Sequence, residues 1–450
     1  MEINWRNDLK KIIYIICSLY IFCSLTTVET AAQTETHLKN SEINGIIDTV
    51  FKCLQVNYVF PEKVKEWELK IRQSGNISNY LKMDNLEKFI NQLSSDIRKI
   101  SNDKHFGMEY IEKSDVQSQH NQTSISAEDL MQRKKKNFFF KKVEWLPCNV
   151  GYLRFDRFED VSIAGETVSN AMNFLSRCDA IIIDLRYNPG GNENMVKFLA
   201  SYFFDKPTKL NSLYFTKQDS TAQSWTQAFV PGSKLTNADV YILTGPGTAS
   251  AAEAFTYDMV TYKKASVVGE RTRGAAHWAE YFYYPSLHVE IKMPVARPIS
   301  PITNTSWEGT GITPDIKAPE YDALQVAYLT ALERMKEKST DERELTDLEW
   351  NIKIVKARLE NALISKTDMM DYAGEYGKLK IIFKEGFIFW HQAVNAELLL
   401  LPITKDLFTF TDSYDYLVKF VRDKMNNVTG YQLLVKGGGD GKVHNKKMGK

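Results

Sequence analysis

The chain has 450 residues, 43% of them hydrophobic and 25% charged, an ordinary composition for a folded protein with room for two or three domains. Its formal charge of +1 excludes a long-range field that would draw nucleic acid or an acidic partner. Five cysteines in a chain of this size exclude a disulfide framework, and no pair has metal-ligand spacing.

At the N-terminus, Arg6, Lys10 and Lys11 precede an apolar stretch from Ile12 to Leu25, and small residues end in Thr30-Ala31-Ala32. A basic start, a short apolar core and a small-residue exit predict a secretory signal peptide over residues 1–32, cleaved after Ala32. The stretch is shorter than the ~20 residues a spanning helix needs, and no later segment is long and apolar enough to span a bilayer. Bulky Phe22 argues against lipid attachment at Cys23. The mature protein is therefore expected outside the cytoplasm, periplasmic or secreted, with Cys53, Cys148 and Cys178. At most one bridge can form, and whether Cys148 and Cys178 pair is open.

From Ile43 to Ile100, apolar residues recur at helical spacing. Ile43, Ile46, Ile47, Val50, Phe51 and Leu54 form one stripe; Leu86, Phe89, Ile90, Leu93, Ile97 and Ile100 form another. They predict a small helical domain over residues 33–112. Residues 113–142 read as a linker, with the basic run Arg133-Lys134-Lys135-Lys136 as a solvated loop.

An α/β core over residues 143–320 follows. Strands are predicted at Val150–Phe155, Ala180–Leu185, Val240–Thr244 and Ala265–Val268, and helices at Val161–Leu175, Met195–Phe204 and Ala251–Tyr262. Ala180-Ile181-Ile182-Ile183 is a continuous apolar run, as expected of a strand buried on both faces. The alternation implies a largely parallel sheet. A helical connector over residues 321–365 holds helices at Tyr321–Lys336 and Glu342–Leu363. Short aromatic strands then predict an antiparallel β-domain over residues 366–436, with residues 437–450 as a loose tail.

Ser250 is the first residue that can carry chemistry. A predicted strand ends at Thr244, a Gly-Pro-Gly turn follows, and the serine opens a helix. Its hydroxyl would stand clear at a sharp turn, near N–H groups able to hold an oxyanion. Ser250-Ala251-Ala252-Glu253 is equally a capping box, which needs no catalysis; both readings can hold at one helix end. The second element is Asp184-Leu185-Arg186-Tyr187-Asn188-Pro189-Gly190-Gly191, a strand running into a glycine turn whose backbone can approach closely and donate a second N–H.

In this order the two elements resemble the C-terminal-processing and tricorn-type serine peptidases. That family shows Asp-Leu-Arg-x-Asn-x-Gly-Gly, Thr-Ala-Ser-Ala-x-Glu, Gly-Glu-x-Thr-x-Gly and Gly-Val-x-Pro-Asp. The last two appear here as Gly269-Glu270-Arg271-Thr272-Arg273-Gly274 and Gly311-Ile312-Thr313-Pro314-Asp315. The resemblance implies a crotonase-like, tail-specific-protease-type core acting on polypeptide, with no cofactor or metal. One branch of the family uses a lysine directly after that glycine; here the position is Ala275. The other branch, which includes the interphotoreceptor retinoid-binding-protein-like peptidases, uses His and Glu, and often lacks the PDZ domain for which Met108 to Val150 is too short.

By that resemblance the nucleophile is Ser250, the base is His105 of Asp103-Lys104-His105, and the orienting carboxylate is Glu308 of Trp307-Glu308-Gly309. The oxyanion hole is formed by N–H groups of Gly190 or Gly191 and Ala251. An imidazole can take the hydroxyl proton and return it to the leaving amine, and a carboxylate fixes its tautomer. His277 is the rival base, and Asp103 the rival orienter. Glu253, Glu270, Asp184 and Arg186 read as structural. The same branch includes retinoid carriers, so a non-catalytic protein binding a hydrophobic ligand or peptide is the alternative.

Overall fold

The computed structural model describes residues 39–73, 76–83, 85–112, 125–360, 362, 364–392, 397–438 and 441–447. The predicted signal peptide lies outside these residues. The chain divides into two compact units: one formed by Thr30–Trp145 and Gly151–Ala323, the other including Leu146–Val150 and Leu324–Lys450.

The first unit opens with helices α1 (Asn40–Asn57), α2 (Pro61–Gln73), α3 (Asn76–Tyr80) and α4 (Leu86–Ser101), followed by strand β1 (Gly107–Tyr110). Asn85 caps α4 by accepting the Lys88 N–H at 3.0 Å. Asn102 ends it in the left-handed conformation at φ 54°, turning the chain sharply toward Asp103 and His105. Helix α5 (Ala127–Lys135) falls where a linker was expected. Ser126 caps it, acidic residues fill its first turn and Arg133, Lys134 and Lys135 its last, which complements the helix dipole. The basic run is thus a helix end rather than a loop, and Arg133 holds both oxygens of buried Glu159 at 2.7 and 2.8 Å.

Next come β2 (Phe140–Leu146), β3 (Val150–Phe155), α6 (Val161–Phe174), β4 (Ala180–Asp184), α7 (Glu193–Ala200), β5 (Ser212–Phe215) and β6 (Ser220–Ala222). They are followed by β7 (Asp239–Thr244), α8 (Ala251–Thr261), β8 (Ala265–Gly269), β9 (Trp278–Tyr284), β10 (Val289–Ile299) and β11 (Ile316–Lys317). The predicted Met195–Phe204 helix is α7 continued by a 3-10 turn at Ser201–Phe203.

One sheet has the order β11-β8-β7-β4-β3-β2. Its β4, β7, β8 and β11 run parallel, in a register that sets Ile182 against Tyr241 and Ile242 against Val267. All five β4 residues are buried, as the unbroken isoleucine run requires. Met172, Leu199 and Phe255 of α6, α7 and α8 pack with Ile181 and Ile183 in one core, and because β4 and β7 run parallel the turns into α7 and α8 lie at one end of the sheet.

The second sheet was not legible in the sequence. Strand β10 carries β9 along one edge, and β1 and β5 share the other, all antiparallel to it. Pro294 and Pro298 argue against a strand interior; the structure accommodates the first with a register shift between Pro294 and Ala296. Val289, Ile291 and Met293 of β10 enter the same core as Ile43, Leu54, Phe89 and Leu93. The N-terminal helices therefore bury their stripes against this distant strand. Because β1 and β9 both run antiparallel to β10, they enter it from the same end. That brings Asp103–His105, just before β1, toward His277, just before β9.

The second unit holds α9 (Ala323–Lys338), α10 (Glu342–Leu359) and α11 (Lys366–Tyr372). An antiparallel meander follows, with eight strands paired in chain order from Gly374 to Asn445. Tyr372, Tyr376, Phe408, Phe420 and Tyr431 fill its core. The last strand, Val443–Asn445, pairs Gly430 with Asn445 in a stretch expected to be loose. Cys53, Cys148 and Cys178 are free thiols, so the pairing left open for the last two is not made.

Candidate active site

Ser250 sits between β7 and α8 with φ 53° and ψ −120°, a strained conformation for a residue bearing a Cβ, typically costing ~1–3 kcal/mol. The surroundings impose it. Thr248 Oγ1 donates to Leu185 O at 2.7 Å and the Ala249 N–H to Asn188 O at 3.1 Å, which locks this turn onto the turn after β4. Gly190, at φ 105°, lies so close that a Cβ there would meet the Ser250 Cβ at 2.7 Å. Its N–H is already given to Asn188 Oδ1 at 2.9 Å. Of the two predicted oxyanion donors in that turn, Gly190 is therefore occupied. Gly191 lines the same cavity as Ser250 and Ala251.

Glu253 does more than close the helix cap. Fully buried, it accepts the Ser250 N–H at 3.0 Å and the Ala275 N–H at 2.8 Å on Oε2. Its Oε1 takes the Gly274 N–H at 2.6 Å and the Thr272 hydroxyl. Burial pushes its pKa up, and these donors pull against that. The carboxylate thus ties the backbone of Ser250 to the segment that ends in His277. Glu308 fixes the same segment from the other side, its Oε2 accepting the Ala276 N–H at 2.6 Å and the His277 N–H at 3.0 Å. Buried Trp307 donates its Nε1 to Ala275 O at 3.3 Å. Burial raises the Glu308 carboxyl, against the lowering pull of His277.

His277 is buried, and its Nδ1 lies 2.6 Å from Asp103 Oδ2 and 3.7 Å from Glu308 Oε2. Phe60 stands edge-on to the imidazole at 5.7 Å. Asp103 is 2% exposed. It also accepts the Tyr58 hydroxyl at 2.8 Å and the His105 N–H at 2.9 Å. Burial works to raise its pKa, but His277, Tyr58 and the His105 N–H outweigh that and hold it below the ordinary carboxylate value. With Nδ1 so engaged, Nε2 is the nitrogen left to exchange a proton. His277 and Ser250 line one cavity of about 560 Å³, open solvent at its mouth included.

His105 is placed differently. Its side chain is absent from the lining of that cavity, and its buried Nδ1 has no hydrogen-bond partner. Burial first, then the charge of Lys292, lower its pKa to about 4 against the attraction of Asp103. The structure therefore joins His277, not His105, to Glu308 and to the cavity of Ser250. The signal for His277 was its place just past Gly274; what the sequence concealed was the β9–β10–β1 arrangement that brings Asp103 behind it.

The lowered His105 pKa has a stability consequence. Between pH 4 and the ordinary 6.5, the unfolded chain takes up a proton that the folded chain refuses. The contribution is present above pH 6.5 and lost as pH falls toward 4. We expect about 2 kcal/mol less stability at pH 5 than at pH 7 from this residue alone. In urea titrations the His105→Gln variant should lose less on acidification than the parent; equal losses would refute the assignment.

Asp103, His277 and Glu308 offer ligand atoms within 4.8 Å of one another, a donor set that could in principle hold a divalent ion. Around tetrahedral zinc, with bonds of ~2.1 Å, donors would stand about 3.4 Å apart. The 2.6 Å contact of His277 with Asp103 is a hydrogen bond instead, and Glu308 Oε2 already serves two N–H groups. Asp184 and Arg186 pair at 2.6 Å, and Glu270 accepts the Glu320 N–H at 2.9 Å; both are structural contacts.

Residues 149–318 match peptidase family S41, and residues 31–145 match the N-terminal domain of Peptidase S41 in eukaryotic IRBP. The "Probable CtpA-like serine protease" of Staphylococcus saprophyticus is 31% identical over 199 residues, which are 43% of this chain and 39% of that protein. Its Staphylococcus epidermidis counterpart is 32% identical over the same shares. The chain thus spans about two-fifths of the length of these curated relatives. Among solved structures, the photosystem II D1 C-terminal processing protease aligns at 14% identity and TM-score 0.41, over 62% of this chain and 94% of that one. The chain therefore carries an S41 N-terminal domain over residues 31–145 followed by a peptidase family S41 domain over residues 149–318.

Proposed function

We propose that the chain is a serine peptidase that cleaves unfolded or C-terminal polypeptide segments through an acyl-enzyme. Ser250 Oγ attacks the scissile carbonyl, and His277 Nε2 takes its proton and returns it to the leaving amine. Asp103 holds the imidazole tautomer and stabilises its charged form; Glu308 lends a second negative charge and fixes the backbone beneath it. The N–H groups of Gly191 and Ala251 receive the oxyanion, the latter with the help of the α8 N-terminus. The observation that carries this reading is the shared cavity of Ser250 and His277, with Asp103 2.6 Å behind the imidazole. A fluorophosphonate should label the protein at Ser250, and Ser250→Ala should abolish labelling without changing the thermal midpoint by more than a few degrees. Labelling that persisted in the variant would refute the nucleophile.

A second reading keeps His105 as the base with Glu308 as its orienter, as the family resemblance implies. Two buried atoms without partners favour it: His105 Nδ1 and Glu308 Oε1. The non-catalytic carrier is tested by the same labelling, since a carrier has no reason to hold an activated serine. Uptake of a hydrophobic ligand without any turnover of unfolded casein would favour it.

A further inference from the structure

The cavity beside Ser250 has an uneven lining. Leu210, Leu213 and Pro298 give it apolar surface, while Glu193, Asn211 and Asp258 give it oxygen acceptors. Asp258 is almost wholly buried on α8, and its Oδ1 accepts the Asn211 N–H at 3.0 Å. Asn211 is 7% exposed, and neither its side-chain oxygen nor its side-chain nitrogen has a partner. A buried amide oxygen without a donor is costly in isolation, and here it lines a space that a ligand can enter. Glu193 accepts the Ser224 hydroxyl at 2.5 Å. The lining cation Lys197 lies 3.5 Å from Glu193 Oε1 and 3.2 Å from Asn194 Oδ1, so it offsets part of the Glu193 charge, while its contact and that of Ser224 both fall on Oε1.

We propose that this cavity receives the side chain of the residue whose carbonyl Ser250 attacks, and that it selects lysine or arginine. The inference rests on the serine peptidase reading. A long aliphatic stem matches the apolar lining, and a cationic head would meet two carboxyl groups and an unsatisfied amide oxygen. An acidic side chain would face the Glu193 carboxylate, and a purely aliphatic one would leave the Asn211 oxygen unsatisfied. Burial, with the Glu193 charge adding to it, pushes the Asp258 carboxyl up to about 8, so it is neutral in the empty cavity. An arriving cation would draw off its proton to solvent and form the ion pair.

The test uses peptidyl diphenyl phosphonates differing only in the side chain next to phosphorus. Ser250 Oγ forms the P–O bond, phenol leaves, and no turnover is needed. Lysine and arginine phosphonates should react at least ~10-fold faster than norleucine, and the glutamate one slowest. Glu193→Gln should narrow the lysine-to-norleucine ratio several-fold. Asp258→Asn should do the same where it folds. A norleucine rate equal to or above that of lysine, or a ratio unmoved by Glu193→Gln, would overturn the proposal. Calorimetry of butylguanidinium with the Ser250→Ala variant decides it independently: saturable binding that Glu193→Gln weakens supports the pocket, and no binding refutes it. Loss of all labelling at Ser250 with butylguanidinium still bound would sink the peptidase reading and leave the cation site standing.

Discussion

His277→Ala should lower kcat/KM on an unfolded polypeptide by about four orders of magnitude, close to the loss from Ser250→Ala, because the base and nucleophile of such a relay act as one unit. The double variant should then be scarcely worse than either single one. Asp103→Asn should cost nearly as much, since an amide can hold the wrong imidazole tautomer and does not stabilise the imidazolium. Under the second reading the ranking reverses: His105→Ala would abolish activity, and His277→Ala would cost little beyond stability. Single-turnover acylation rates of the two histidine variants, each checked for folding, separate the readings. Full activity in His277→Ala would sink the relay proposed here.

The second large effect concerns Glu253, which touches no substrate in this scheme. It accepts the N–H groups of Ser250, Gly274 and Ala275 and the Thr272 hydroxyl, all with one buried carboxylate. Glu253→Gln replaces one of these acceptor oxygens by an NH₂ group that must face donors. We expect a loss of about 3 kcal/mol, within the range for breaking a buried network by removing one member. Activity should fall further than stability explains, because the segment carrying His277 would lose its tie to Ser250. Thermal unfolding and acylation rates under fully folded conditions check the two parts. A variant as stable as the parent would show that the carboxylate is not holding the site together.

Much of this was legible in local patterns. The isoleucine run at 181–183, the turn glycines and the stripes of α1 and α4 each carry their signal within a few residues. Ser250 was readable for the same reason, since a strand, a Gly-Pro-Gly turn and a capping box are contiguous. The antiparallel sheet was not. Its central strand β10 carries two prolines, and its partners β1 and β9 lie far apart in sequence with little pattern of their own. The choice between His105 and His277 depended wholly on that sheet. Motif order alone kept the rival histidine second, and register on β10 is what places it against Asp103. Within the meander, the strand Leu398–Thr404 is hard to read for the same reason, since it contains Pro402, beside which the register shifts.

Strand β10 also sets a clock. Asp103 leaves the ribosome early and Glu308 late; Glu253 and Glu308 hold the backbone leading into His277, but Asp103 comes behind the imidazole only once β1 and β9 have both paired with β10. A nascent or partly folded chain therefore contains every reactive side chain and no working relay. In the proposed mechanism the relay would therefore be complete only when this sheet is.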